Sequence, residues 1–372
     1  MEDDWIISSV KSYELLHTFD LPQSASALDW GSSGNVMYVG GSSLEQHSNE
    51  ILELCVPEKI LNPENGLCSK RDFTMLQGGF SLKPIISLKH LSPLDKLATV
   101  GTGNLVCVYS LSSCEKGMIK HVVDLRTSDP SPNHDGYLCW NDNYPTVILS
   151  GCTVGSAALV DLEKNAIVYQ SSGELAVPLN GLAFTCKGSD NFFTLTCTGS
   201  IELWDPRVKS VVMQQENKDD SYFYAGVNFA MDVCGDNCED TKLMRVSRLD
   251  EHIAFYDIRQ WTKPVSSSFL LCHGGKNNHN KHLCAKFSPH HDGLISISGY
   301  SEGVGVYKTE PSLDLIFTHK GHEAETHDCS VLTHLWHPSI AKLLVSTSTD
   351  GALHAWQWKH DKLMTMESMY KK

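Results

Sequence analysis

The chain has 372 residues, too many for one small domain and enough for two ordinary domains or one large repeat structure. Its 30 Lys and Arg against 44 Asp and Glu leave a formal net charge of −14, which speaks against unaided binding to nucleic-acid phosphates or to an anionic membrane. A hydrophobic share of 41% with 20% charged residues is that of a globular chain, and no apolar run reaches the roughly 18–20 residues of a membrane span.

The first residues, Met1, Glu2, Asp3, Asp4 and Trp5, carry neither the positive region nor the apolar region of a secretory signal. The expectation is a soluble intracellular protein. The 13 cysteines then read as free thiols, because an odd number without regular spacing does not make a disulfide framework. From Asp4 to Tyr13 a short helix is predicted. Asp3 or Asp4 supplies an N-cap, and Ile6, Val10 and Tyr13 share one face at i, i+4 and i+7. That face either packs on the rim of the fold or binds a partner. Tyr13 to Leu21 follows as a strand without a repeat unit of its own.

The rest of the chain repeats. Ile201-Glu202-Leu203-Trp204-Asp205-Pro206-Arg207 alternates apolar and polar residues, as a half-buried strand does, and ends in a Pro that stops it. Ile253-Ala254-Phe255-Tyr256-Asp257-Ile258-Arg259 is a close copy, and Leu353-His354-Ala355-Trp356-Gln357 is another. Weaker copies are Val304-Gly305-Val306-Tyr307-Lys308 and Val106-Cys107-Val108-Tyr109-Ser110, and the weakest are Ala158-Leu159-Val160-Asp161 and Leu52-Glu53-Leu54-Cys55. The aligned positions are 55, 109, 160, 204, 256, 307 and 356, seven units of about fifty residues. Two strand-like runs precede each copy and a fourth run follows it. Turn residues such as Lys187-Gly188-Ser189-Asp190 and Asp350-Gly351 separate them. Four short antiparallel strands repeated seven times make an all-β, seven-bladed β-propeller. The predicted organisation is one propeller over 1–358, with the helix and a ring-closing strand within 4–21, and a tail over 359–372. The strand at 13–21 is predicted to pair beside Ala355-Trp356-Gln357, since a closed ring leaves no exposed sheet edge.

Trp204-Asp205, Tyr256-Asp257 and Gly321-His322, with the sevenfold spacing, resemble the WD-repeat family. In that family a His, a second-strand Ser or Thr, a turn Asp and the Trp form a buried tetrad. The resemblance places it on His322, Ser346, Asp350 and Trp356, the one unit with all four residue types. The chemistry is sound: an Asp in a tight turn needs donors, and a His ring and a hydroxyl supply them. The other units are expected to hold by apolar packing between sheets.

Further segments resemble one branch of the family. They include Asp3-Asp4-Trp5, Asn49-Glu50-Ile51-Leu52, Gly78-Gly79-Phe80-Ser81, Phe317-Thr318-His319-Lys320-Gly321-His322 and Thr333-His334-Leu335-Trp336-His337-Pro338. That resemblance implies a non-enzymatic scaffold, monomeric by itself and free of cofactors. It implies protein partners from the cleavage module of the Integrator RNA-processing complex together with a helical-repeat scaffold protein, and also tubulin. It further implies a cytoplasmic protein with spindle, cleavage-furrow and nuclear pools and a part in cell division. Direct contact with nucleic acid or membrane is not expected.

The repeat ends Trp204, Asp205, Arg207 and Tyr256, Asp257, Arg259 allow a second reading. WD-repeat substrate receptors of cullin ubiquitin ligases carry such an Arg where it meets the ligase adaptor; the plainer reading is an Arg that pairs with its neighbouring carboxylate. Partner-binding loops are expected at 214–224, with Asp219 and Asp220 beside Tyr222, and at 232–242, with Asp236, Glu239 and Asp240. Acidic loops next to aromatics suit a basic protein surface. The tail from Leu363 to Lys372, with three Met residues, is either a frayed end or an adaptable apolar contact.

Two His and Cys clusters invite a metal reading: Cys272, His273, His279, His282 and Cys284, and His319, His322, His327, Cys329, His334 and His337. The first offers only loose matches to the paired short spacings of structural zinc, across a loop; the second mixes a strand end, a loop and a new strand, with His322 claimed by the tetrad; and Cys234 with Cys238 is a single pair, so these residues read as core or loop side chains and no metal is assigned. Gly40-Gly41, Gly78-Gly79 and Gly101-Thr102-Gly103 fall at strand ends, not between strand and helix, and read as turn glycines. Nothing in the chain resembles a nucleophile elbow or a cysteine-protease context, so no catalytic residue is assigned.

Overall fold

The computed structural model describes residues 11–359, apart from 43–47, 62–70, 113–116, 128–133, 142, 173–176, 187–188, 209, 216–228, 235–240, 249, 261–262, 271–281, 291–292, 301–302 and 324–328. After β1 (Tyr13–Asp20) the chain lays down its sheets one at a time. The first blade holds β2 (Ala25–Trp30), β3 (Val36–Gly41), β4 (Asn49–Cys55), a helical turn α1 (Glu58–Leu61), and β5 (Thr74–Ser81). The second holds β6 (Ser87–Leu91), β7 (Lys96–Val100), β8 (Leu105–Ser110) and β9 (Lys120–Arg126). The third holds β10 (Tyr137–Trp140), β11 (Val147–Gly151), β12 (Ala158–Asp161) and β13 (Ala166–Gln170). The fourth holds β14 (Leu179–Phe184), β15 (Phe192–Thr196), β16 (Ile201–Asp205) and β17 (Ser210–Gln215). The fifth holds β18 (Phe229–Cys234), β19 (Lys242–Ser247), β20 (His252–Asp257) and β21 (Ser266–Phe269). The sixth holds β22 (Cys284–Phe287), β23 (Leu294–Ser298), β24 (Val304–Lys308) and β25 (Asp314–His319). The seventh holds β26 (Val331–Trp336), β27 (Leu344–Ser348) and β28 (Ala352–Trp358).

These make seven four-stranded antiparallel sheets, a seven-bladed propeller. The seventh sheet has the order β1-β28-β27-β26, with Leu16 opposite Trp356 and Asp20 opposite Ala352. Its outer strand therefore comes from the other end of the chain. The N-terminal helix expected over 4–13 falls mostly outside the described residues, as does the Met-rich tail. Among the described residues no helix is long and apolar enough to cross a membrane.

A single sheet cannot bury both of its faces, so each blade finds its core against its neighbours. Seven apolar clusters result, one for each pair of adjacent blades. Trp204 packs with Leu149 and Leu159 of the third blade. Tyr256 packs with Phe193 and Leu195 of the fourth, and Trp356 with Val304 and Val306 of the sixth. The repeated aromatic thus points back at the preceding blade, which is why a large residue recurs there. In the first blade the register differs from the sequence alignment. Leu54, opposite Met37 and buried against Leu343 and Val345, takes the place assigned to Cys55, which is half-buried. The alternation was read one residue late because Cys and Leu serve equally as apolar strand residues.

Turns follow the same economy of shape. Gly351 closes the β27–β28 turn at φ +87°, where a side chain would be strained. Gly79 lies so close to the second blade that a Cβ would sit 2.6 Å from the Ile119 carbonyl oxygen. There Gly78 N–H donates to the Gly117 carbonyl (3.1 Å) and Ile119 N–H to the Gly78 carbonyl (2.8 Å), which sews the two blades together at the rim.

Candidate functional site

Three kinds of place on the propeller carry chemistry: the polar groups buried inside blades, the inner strands around the central channel, and the clefts and edges that face solvent.

In the seventh blade Ser346, Trp356 and His322 are 0–1% exposed. Trp356 Nε1–H donates to Ser346 Oγ at 3.1 Å, and His322 Nε2 lies 2.8 Å from the same oxygen. Asp350 does not complete the chain of bonds. Its carboxylate accepts from Ser348 Oγ and from Ala352 N–H (3.1 Å), so it holds its own turn together. His322 Nδ1 is buried without a hydrogen-bond partner. The fourth blade has a related device that the sequence reading missed. Trp204 Nε1–H donates to Thr194 Oγ1 (3.2 Å), and Thr194 Oγ1 donates to Glu202 Oε2 (3.2 Å). The signal was present, a Ser or Thr ten residues before each Trp, but the turn Asp was required and its absence hid the match.

The repeat-end arginines are committed to their own blades. Arg207 donates to Asp205 from its backbone N–H, Nε and Nη2 at 2.9, 2.9 and 2.6 Å. Arg259 repeats the pattern on Asp257, at 2.9 Å from the backbone N–H and 2.9 Å from Nε. The hydrogen bonds from Arg259 hold the Asp257 carboxyl low, at about 2. This is the plain reading of the motif: an Arg that ties down the strand end through a bidentate pair. Next to it, between the fifth and sixth blades, lies a cleft of about 430 Å³. Phe255, Val265 and Phe287 give it apolar walls, and Asp257, Arg259, Lys242 and Glu310 surround them. Lys242 Nζ and Glu310 Oε1 are 3.7 Å apart, and both are exposed.

Around the channel the sequence reading missed a repeated clamp. Asp29 on β2 accepts from the backbone N–H of His90 (2.8 Å) and pairs with Lys89 (3.3 Å), both on β6. Asp232 on β18 accepts from Phe287 N–H (2.8 Å) and pairs with Lys286 (3.5 Å), both on β22. Among the described residues an inner-strand Asp thus grips the next blade at two junctions. The channel cavity of about 230 Å³ is lined by these lysines, by Leu138, Leu182 and Leu335, and by Cys284 and His334.

Cys284 needs a chemical test. Burial raises its thiol, but His334 and Lys286 pull it down further, to about 7. His334 is nevertheless no general base for it. Its Nδ1 lies 3.0 Å from Ser298 Oγ and its Nε2 2.8 Å from Ser296 Oγ, so both ring nitrogens are engaged. Cys284 Sγ meets the backbone carbonyl of His334 at 3.9 Å. With both ring nitrogens of His334 turned to serine hydroxyls, the thiol's contact is a buried polar one between two blades.

The outward edge is more apolar than a solvated rim needs to be. Phe80 and Leu82 beside β5 are 65% and 90% exposed, and Val265 and Phe269 beside β21 are 71% and 68% exposed. Exposed large apolar side chains are candidates for contact surfaces where they gather into a patch. The loop residues proposed from sequence as partner contacts, Asp219, Asp220, Tyr222, Asp236, Glu239 and Asp240, lie outside the described residues.

No protein-family model matches the chain. Along nearly its whole length it is similar to the Integrator complex assembly factor WDR73 of Danio rerio, 27% identical over 96% of both chains. The Homo sapiens protein of the same name is 27% identical over 96% of this chain and 97% of its own. A more distant similarity, 22% over 65% of this chain and 54% of the relative, is to the histone-binding protein MSI1 of Saccharomyces cerevisiae. End-to-end similarity to WD-repeat proteins and a seven-bladed propeller agree with each other.

Proposed function

We propose that this WD-repeat propeller is a non-catalytic protein-interaction scaffold that assists assembly of the Integrator complex. The observation that carries the reading is its similarity, over the full ring, to relatives named as assembly factors of that complex. Physical features support a binding role. The apolar edges at Phe80, Leu82, Val265 and Phe269 are open, and the cleft between the fifth and sixth blades joins apolar walls to a charged rim. Such a pairing of an apolar core with a polar margin suits protein recognition.

In this proposal the partners are subunits of the cleavage module, met together with a helical-repeat scaffold protein, and the propeller acts as a monomer. Tubulin, the spindle and cell division belong to the same proposal as a second setting, with a cytoplasmic protein that also has nuclear pools. A receptor for a cullin ligase is the weaker reading, because Arg207 and Arg259 engage Asp205 and Asp257. Affinity purification of the tagged full chain from its own cells, with quantitative proteomics, separates the two. Integrator subunits enriched well above a cullin adaptor support the proposal, and enrichment of the adaptor alone, lost on Arg259→Ala, overturns it.

A further inference from the structure

Three histidines, of which the sequence grouped only His319 and His322, meet between the sixth and seventh blades. His319 ends β25 in the sixth blade, His322 lies in the helical turn Gly321–Glu323, and His354 is in β28. They are 0%, 1% and 4% exposed. His319 Nε2 and His354 Nδ1 are 3.1 Å apart, with the two rings nearly perpendicular at 79°. One ring nitrogen from each of the three lies within 4.8 Å of the others. Two of the opposite nitrogens are held from outside, His319 Nδ1 by the Tyr13 hydroxyl (2.8 Å) and His322 Nε2 by Ser346 Oγ (2.8 Å). His322 Nδ1 is the orphan, buried and without a partner. Gly321 keeps the space over the pair clear, since a Cβ there would lie 2.9 Å from His354 Nδ1 and 3.0 Å from His319 Nε2.

We propose that His319, His322 and His354 form a binding site for a divalent transition-metal ion, zinc in the first instance, which ties the sixth blade to the ring closure between β1 and β28. Two ligands on a tetrahedral zinc ion with bonds of about 2.0–2.1 Å stand roughly 3.3 Å apart, close to the separation of His319 Nε2 and His354 Nδ1. A metal-binding imidazole characteristically has its other nitrogen fixed by a hydrogen bond, which sets its orientation, and Tyr13 and Ser346 fill that role. An all-imidazole set suits zinc, copper or nickel better than magnesium or calcium.

Two rearrangements are required. His319 Nε2 and His354 Nδ1 share a hydrogen bond, so the proton between them moves to the far nitrogen of its own ring and leaves both lone pairs for the ion. The rings of His322 and His354 lie face to face, 3.9 Å between centroids and 8° between planes, so their lone pairs run parallel. Binding also turns His322 out of that stack, pivoting on its Nε2 contact with Ser346, until Nδ1 points at the ion. The sequence concealed the site because His354 sits on a strand thirty-odd residues from the other two, beyond any short ligand spacing.

The test uses the purified, chelator-treated full chain, titrated with zinc sulfate by calorimetry and checked by elemental analysis, and then with cobalt chloride. The expected result is one bound zinc per chain and a cobalt spectrum with tetrahedral visible bands and no thiolate charge transfer. His322→Gln and His354→Asn should weaken zinc binding at least roughly tenfold. Absence of bound zinc, a thiolate band, or unchanged affinity in both variants overturns the proposal. Because the cobalt spectrum is read on the unaltered chain, a variant that fails to fold does not leave the question open.

Discussion

Ser346→Ala is the sharpest probe of how the seventh blade is held. The change removes one oxygen from a site that is 0% exposed, in a blade where Trp356 is 0% and His322 1% exposed. Trp356 Nε1–H is a donor only, so losing its acceptor at 3.1 Å leaves a buried N–H unmade. His322 loses its 2.8 Å contact as well, although its proton can shift to the other nitrogen. One stranded buried donor costs about 1–3 kcal/mol, and the weaker loss at His322 brings the expected total to about 2–4 kcal/mol. Trp356→Phe should cost less in hydrogen bonding, because Ser346 keeps its contact with His322 and a ring still stacks on His319. The assay is urea unfolding of both single variants and the double variant, read at unchanged m. In the cycle the two changes should couple by about 1 kcal/mol, since each removes the same bond. If Ser346→Ala falls within about 0.5 kcal/mol of Ser266→Ala, an exposed reference on β21, the reasoning fails.

Other outcomes follow from the same geometry. Gly79→Ala sets a methyl against the Ile119 carbonyl oxygen and should destabilise the chain by about 1–3 kcal/mol, with faster hydrogen exchange at the junction of the first two blades. Asp232→Asn keeps the contact with Phe287 N–H but loses the charge opposite Lys286. Because that lysine is half-exposed, thermal unfolding should show a cost of only about 1 kcal/mol or less, and Asp232→Ala should cost more. His337 accepts from Ser339 N–H (3.1 Å) and Ile340 N–H (2.9 Å) through Nδ1, and its Nε2 lies 3.0 Å from the Gly34 carbonyl oxygen, beside Trp30 and His290. Burial lowers its pKa below the usual 6.5, so the unfolded chain takes up the proton first. The stability it contributes is therefore present above about pH 6.5 and is lost as the pH falls. Unfolding free energy should drop from about pH 7 to about pH 5, with a shallower slope in His337→Gln.

The sevenfold period was legible because burying one large residue against the preceding blade forces it to recur, as Tyr109, Trp204, Tyr256, Tyr307 and Trp356 do. Local pairs were legible too: Asp257 and Arg259 are two residues apart and meet within one turn. What escaped depends on distance in the chain. Asp29 grips Lys89 and Asp232 grips Lys286 only because consecutive blades lie side by side, and neither pair has a local pattern. His354 escaped for the same reason, lying far in sequence from His319 and His322. The register of β4 escaped for a different one, since Leu54 and Cys55 are adjacent apolar residues and Glu53, which is itself buried against Tyr38, does not mark a solvent face.

The central claim is that the propeller serves Integrator assembly without chemistry of its own. Rapid depletion of the protein in its own cells, followed by size fractionation of Integrator subunits, tests it most directly. The account predicts that the cleavage-module subunits fall out of the full-size complex within hours and return when the intact chain, or a Cys284→Ala chain, is restored. An unchanged Integrator profile after depletion, or rescue that requires Cys284, would contradict it.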